Sequence, residues 1–340
     1  MSKRYIIDKL FEAVDADKTP VSSREFPTIE SYVDYLNSKG IKASLRNGKI
    51  DVEGDISAKY VYYKGDEIVY PFGKVNGNFS VEKLPLRTLK NSPEWVGGGF
   101  NCSACDKLIT LEGAPEYVSG NFYCLNCGSL TSLEGAPGRV GGDFSCSYCD
   151  KLTSLEGAPR RVGRDFDCSA CKNLISLESA PSYVGRDFDC SYCHGLTSLK
   201  GFLEYVGGNF YCDKCDSLTS LEGVPEYVGG DFGCSYCDNL TSLKGAPKRV
   251  NGVFDCSHCG GLTSLEGAPK YVDRYFNCSS CHNLTSLEGA PEYVGGDFNC
   301  SRCPKLTSLQ GLKEVNGKIY ASKTPIKDLA GFPEDKVILE

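Results

Sequence analysis

A 22-residue period constrains this chain more than any other feature. Ten Cys-x-x-Cys pairs, from Cys102/Cys105 to Cys300/Cys303, recur at that constant spacing, and all 20 cysteines belong to them. A fixed period of this size specifies stacked supersecondary units, each burying its apolar face against its neighbours, rather than one globular core.

One unit, Asp143 to Gly163, reads DFSCSYCDKLTSLEGAPRRVG. Phe144 and Cys146 stand two apart, so a strand places both on one face. Cys149, Leu152, Leu155, Ala158, Pro159 and Val162 complete the expected core positions. The second half of the unit leaves no room for a helix. Gly157, Pro159 and Gly163 fall between Leu155 and the next Phe166, and they punctuate a turning or extended path. The unit therefore reads as a short strand, Leu-x-Ser-Leu, a turn at Glu-Gly-Ala-Pro, and a return leg. With strands ~4.8 Å apart, a dozen such coils make a rod of roughly 55–60 Å.

The pattern x-Phe-x-Cys-x-x-Cys-x-x-Leu, with a second Leu three residues on, resembles the leucine-rich repeat in the form where Cys replaces Asn. The resemblance runs from about Asn76 to Leu329. The GGDF-CSYC--LTSLEGAP wording is also similar to short repeats in bacterial and bacteriophage proteins, a likeness that carries no activity with it. The fold this implies is mainly β: a right-handed leucine-rich-repeat-like solenoid with one short parallel strand per 22-residue coil and helix-free return legs. A parallel β-helix has the same stacking logic and is the alternative. The expected divisions are a small α+β cap over residues 1–72, the solenoid over 73–332, and a tail over 333–340. Within the solenoid, a Cys-less first coil (73–96) precedes ten Cys-x-x-Cys coils (about 97–311) and a Cys-less last coil (312–332).

Cys105 and Cys124 enclose 18 residues, a spacing that fits a zinc site. Three features favour core filler instead. Nothing alternates with a doubled period, as metals joining pairs of coils would require. The terminal coils keep the pattern but lose the sulfur, with Val81 and Leu84 at one end and Ala321 and Thr324 at the other. These replacements suit a small buried position, as free cysteine does, and the resemblance to the leucine-rich repeat already implies that both Cys positions face inward. Disulfides are not expected either, because the chain opens without an apolar leader and a cytoplasmic, reducing location follows.

Composition fits an ordered soluble protein of formal charge −7, with no apolar run of membrane-spanning length and no basic block. Nucleic acid and anionic membranes are thereby disfavoured as partners. Near the N-terminus, Ile6, Ile7, Leu10, Phe11 and Val14 fall at helical spacing, read as a packing element of the cap. A second helix is expected after Thr28 as N-cap, with Ile29, Val33 and Leu36 buried and Gly40 beyond its end. Asn47-Gly48 and Lys64-Gly65-Asp66 signal hairpins, and NGKIDV echoes the start of a coil. The tail after Leu329 is expected to fold over the last coil.

No catalytic constellation is present: His194, His258 and His282 are scattered over different coils and columns, and no phosphate-binding loop or nucleophile elbow occurs. No cofactor is expected. The positions either side of each core Phe point outward, onto the expected concave face. They carry Asp143, Asp165, Asp167, Asp187, Asp189, Asp231, Asp255 and Asp297, with Tyr123 and Tyr211 as aromatic flanks, and no Lys or Arg enters these columns in the Cys-bearing coils. Carboxylates one strand apart repel unless something cationic faces them, so this row is the candidate site for a protein partner with a basic patch. A solvated strand face is the plainer reading. The residue before each return-leg Val, from Trp95 to Tyr293, is aromatic or Arg and reads as a stacking ladder. The expected function is a non-enzymatic interaction scaffold. The alternatives are a structural part of a larger, possibly viral, assembly and a zinc-binding repeat protein. Oligomeric state is open.

Overall fold

A computed structural model describes residues 21–201 and 203–340. The expected helix carrying Ile6 to Val14 lies outside the described residues. The rest is a mainly β solenoid of stacked coils of about 22 residues with parallel strands. Its α-helical content, among the described residues, is α1 (Ile29–Ser38).

Each coil supplies the expected strand, two residues long, beginning at the core Phe. These strands pair in register, Phe on Phe, from Phe79–Ser80 to Phe298–Asn299. The same 13-stranded sheet continues through Ile319–Tyr320 and closes on Val337–Ile338. The tail thus adds a last rung instead of folding over the end. The return leg pairs as well: its Tyr-Val or Arg-Val dipeptides form a 14-stranded sheet with the Ala43–Arg46/Lys49–Val52 hairpin at one edge. Two residues are too few to show an alternation in sequence, but exact repetition brings each dipeptide beside its copy and the ladder follows.

The interior is a set of continuous columns. Phe, both Cys, both Leu and the return-leg Val of every Cys-bearing coil are buried. In the unit 143–163 the expected core positions are buried, with Ala158 only half-buried. From Phe100 to Phe298 the rings stack at centroid distances of 5.1–5.4 Å, within 21° of parallel. A one-residue slip of any coil would turn its Phe outward, so the register is strongly fixed.

The turn at Glu-Gly-Ala-Pro requires a left-handed residue against the preceding coil. Gly157 has φ +86, and a Cβ there would lie 2.5 Å from main-chain atoms of Leu133 and Glu134. A hydrogen bond crosses the coils at this point, as from Leu133 N to Glu156 O (2.8 Å) and from Leu243 N to Glu266 O (3.0 Å). The bond is not made at Leu155, where Ser179 replaces the glycine at φ 68, nor at Leu199 and Leu287, where the turn keeps Gly223 and Gly311.

The N-terminal end is closed by α1 and two hairpins. Thr28 caps the helix as expected, its hydroxyl accepting Ser31 N–H (3.2 Å) while Ser31 Oγ accepts Thr28 N–H (3.3 Å). The buried stripe is Tyr32, Val33 and Leu36, with Ile29 only half-buried. Tyr32 takes the central place because its hydroxyl bridges the chain near Tyr60 and Tyr62, accepting Tyr62 N–H at 3.1 Å and donating to Tyr60 O. Asn47 (φ 51) and Gly48 (φ 73) form the expected hairpin turn. Coil geometry starts slightly later than NGKIDV. The segment Val52-Glu53-Gly54-Asp55-Ile56 matches Val75 to Phe79, and Ile56 bridges to Phe79.

Candidate interaction surface

The two columns flanking each Phe are half-buried in most coils, not freely solvated. Upstream of Phe, an Asp or Asn side chain reaches along the rod and accepts the main-chain N–H of its counterpart in the next coil. Asn121 Oδ1 takes Asp143 N–H (2.9 Å), Asp165 Oδ1 takes Asp187 N–H (3.2 Å), and Asp187 Oδ1 takes Asn209 N–H (2.9 Å). Asp143, Asn209, Asp231 and Asp297 repeat the contact. Downstream of Phe, the side chain turns back on its own coil: Asp167, Asp189, Asp255 and Asn299 each accept the N–H two residues on, at 2.8–3.0 Å. This answers the repulsion argument in part. Each carboxylate meets a peptide N–H, which stabilises the charge without any external cation.

Arginines outside the two columns supply some countercharge. Arg164 lies 3.3 Å from Asp143, and Arg186 lies 3.6 Å from Asp165. Among the described residues no ion pair reaches Asp167 or Asp187, and the pair Asp167/Asp189 sits side by side in the strand register. Asp165, Asp167, Asp187 and Asp189 therefore form one contiguous block, extended by Tyr211 beside Asp189. Burial first, and then the charges of Asp231, Asp187, Asp213 and Asp189, push the Tyr211 phenol up to about 12. Tyr123 stands apart from that block. Its hydroxyl accepts from Asn121 (2.7 Å) and donates to Asp143 (3.4 Å), so it is tied into the neighbouring coil. Asp255 and Asp297 lie farther along the rod.

Sequence reading missed Asp213. It sits between the cysteines of its coil and accepts both Ser235 N–H and Ser235 Oγ–H at 2.7 Å, and burial raises its carboxyl above the usual range. Its position outside the Phe-flanking columns hid it. The return-leg ladder is also more varied than expected. Tyr183 and Tyr205 stack at 5.0 Å, and Arg161 lies 4.2 Å over Tyr183. Lys248, Arg249 and Lys270 are neutralised by Glu226, Asp273 and Glu292, whereas Arg139 and Arg161 stand in register beside each other.

The cysteines are all free and buried. The second thiol of each pair donates to the carbonyl at the first-cysteine position of the preceding coil at 3.2–3.3 Å, as Cys127 to Cys102 and Cys215 to Cys190, and Cys105 to Val81 in the first. Several first thiols point the other way, as Cys102 to Tyr123 O at 3.4 Å. Among the described residues, no three His, Cys, Asp or Glu side chains are grouped to hold a metal ion. His194 pairs with Asp216 (2.8 Å) on the surface, and no nucleophile accompanies them in the contacts formed. No helix of the described residues is long and apolar enough to cross a membrane. No protein-family model matches the chain, and no curated protein is similar to it.

Proposed function

We infer that this chain is a non-enzymatic protein–protein interaction scaffold, a leucine-rich-repeat solenoid of the cysteine-containing type. Its docking face is the acidic block Asp165, Asp167, Asp187 and Asp189, and its partner is a protein with a basic patch. The observation that carries this reading is the concentration of one sign of charge on adjacent strands of a rigid sheet. Interactions along the rod fix Asp165 and Asp187 through Oδ1, as Asp187 Oδ1 on Asn209 N–H, and leave Oδ2 of each to a donor from outside, whereas Asp167 is held through both oxygens, its Oδ2 by the Ser145 hydroxyl. A preorganised row of this kind attracts cations before contact and holds them at one strand spacing, ~4.8 Å.

The test is partner capture at low and high salt with the wild-type chain and with the Asp165→Asn, Asp167→Asn, Asp187→Asn, Asp189→Asn variant. The wild type should release its partner as salt rises, and the variant should associate more slowly. A partner held with unchanged affinity by the variant at low salt overturns the reading.

A further inference from the structure

Between the two cysteines of each coil stands a left-handed residue that is never glycine. Ala104, Tyr148, Ala170, Tyr192, Lys214 and Tyr236 all have φ between 56 and 61, and the remaining coils repeat the conformation. Glycine would remove that backbone cost at every coil, and the chain contains 38 glycines, yet none occupies this column. The side chains placed there form an outward file along the rod. Lys214 Nζ lies 4.9 Å from the Tyr192 ring and 5.1 Å from the Tyr236 ring, so a cation fills the rung between two tyrosines.

Two coils earlier the same flanks recur with the centre missing. Tyr148 and Tyr192 stand on either side of Ala170, whose methyl is only 9% exposed and forms the floor between them. Two strand spacings separate the flanking residues, roughly 9.6 Å, which leaves one rung at about 5 Å from each ring. Among the described residues, Tyr148 is the most exposed large apolar side chain, at 62%, and no aromatic ring or cation stacks on it. Asp167 and Asp189 stand at the sheet end of the Ala170 and Tyr192 coils.

We propose that Tyr148 and Tyr192 form an open slot over Ala170 that takes a lysine or arginine side chain of a protein partner, as Lys214, two coils on, fills the place between Tyr192 and Tyr236 from within. Cation–π attraction from two faces holds the charge, and the neighbouring carboxylates draw it in. This rests on the acidic-face reading and deepens it, by naming where one basic side chain of the partner inserts.

The probe is acetyl-arginine amide, with the citrulline analogue as its uncharged isostere, titrated into the full chain bearing isotope-labelled tyrosine. The Tyr148 and Tyr192 ring signals should shift saturably with the arginine probe and not with citrulline. Ala170→Lys fills the rung internally, in a backbone conformation that Lys214 already adopts, and should weaken the probe about tenfold. Tyr148→Ala removes one wall of the slot and should do the same, so the test survives if one variant fails to fold. Unchanged probe affinity in the folded variants, or equal shifts with citrulline, overturns the slot. The Asp165/Asp167/Asp187/Asp189→Asn chain separates the two readings. Partner binding lost there but kept in Ala170→Lys leaves the acidic face standing and removes the slot, and the opposite result removes the acidic face alone.

Discussion

Asp187 Oδ1 accepts the main-chain N–H of Asn209, 2.9 Å away in the next coil, and Asn209 Oδ1 passes the same contact to Asp231 at 2.7 Å. Asp and Asn thus perform one structural task in this column, because each offers a side-chain oxygen to an otherwise unpaired peptide N–H. Asp187→Asn should leave stability within about 0.5 kcal/mol of the wild type. Asp187→Ala strands a half-buried donor and should cost about 1–3 kcal/mol. Urea unfolding of the two variants checks this, and equal losses for both would show that the oxygen contact is not what the column provides.

Ser179 holds a left-handed turn position that nearly every other coil gives to glycine. At the equivalent Gly157 a Cβ would meet the main chain of the preceding coil. Ser179→Gly should stabilise the rod by about 1 kcal/mol, from relief of the backbone conformation. Its urea midpoint should rise accordingly. An unchanged or lower midpoint would refute it.

The coil was legible because repetition multiplies a weak local signal: Phe144, Cys146, Cys149, Leu152, Leu155 and Val162 each have nine counterparts at the same offset. The second sheet was not legible, since Arg161-Val162 shows no alternation and becomes a strand only when it stacks on Arg139-Val140. The outward columns were placed correctly beside Phe, but their contacts were not. A side chain that bonds 22 residues away, as Asp165 does to Asp187, leaves no trace in either segment alone. The slot at Ala170 was hidden for a related reason. Its geometry exists only between coils, although the absence of glycine from that column could have been read.

The sulfur columns behave as core. Each second thiol is already directed at a main-chain carbonyl, so recruiting a pair to a metal would break contacts between coils. Cys146→Ala should cost about 1–2 kcal/mol, a cavity effect confined to one coil. Native mass spectrometry after incubation with zinc should show no gain in mass. Several zinc ions per chain, lost on chelation together with the circular dichroism signal, would reverse this.

Alkali should unfold the rod sharply. A thiol in the unfolded chain loses its proton near 9.0, whereas burial pushes Cys303 up to about 11 and Cys105 up to about 12. Burial drives Cys102, Cys168, Cys256 and Cys278 in the same direction, well above the free thiol. Because the folded values are raised, the stability these groups confer is complete below pH 9. It is lost as pH climbs from there through the folded values, where the unfolded chain gains the thiolates that the native core refuses. Each such thiol costs the fold about 1.4 kcal/mol per pH unit in that window. Five in one cooperative block would cost roughly 7 kcal/mol per unit, comparable with the whole stability of a domain. Thiolate absorbance and loss of β circular dichroism should therefore rise together in one step between pH 9 and 11. Thiolates forming near pH 9 in a chain that keeps its circular dichroism would mean the sulfurs are reachable by water, and the core-filler account would fall.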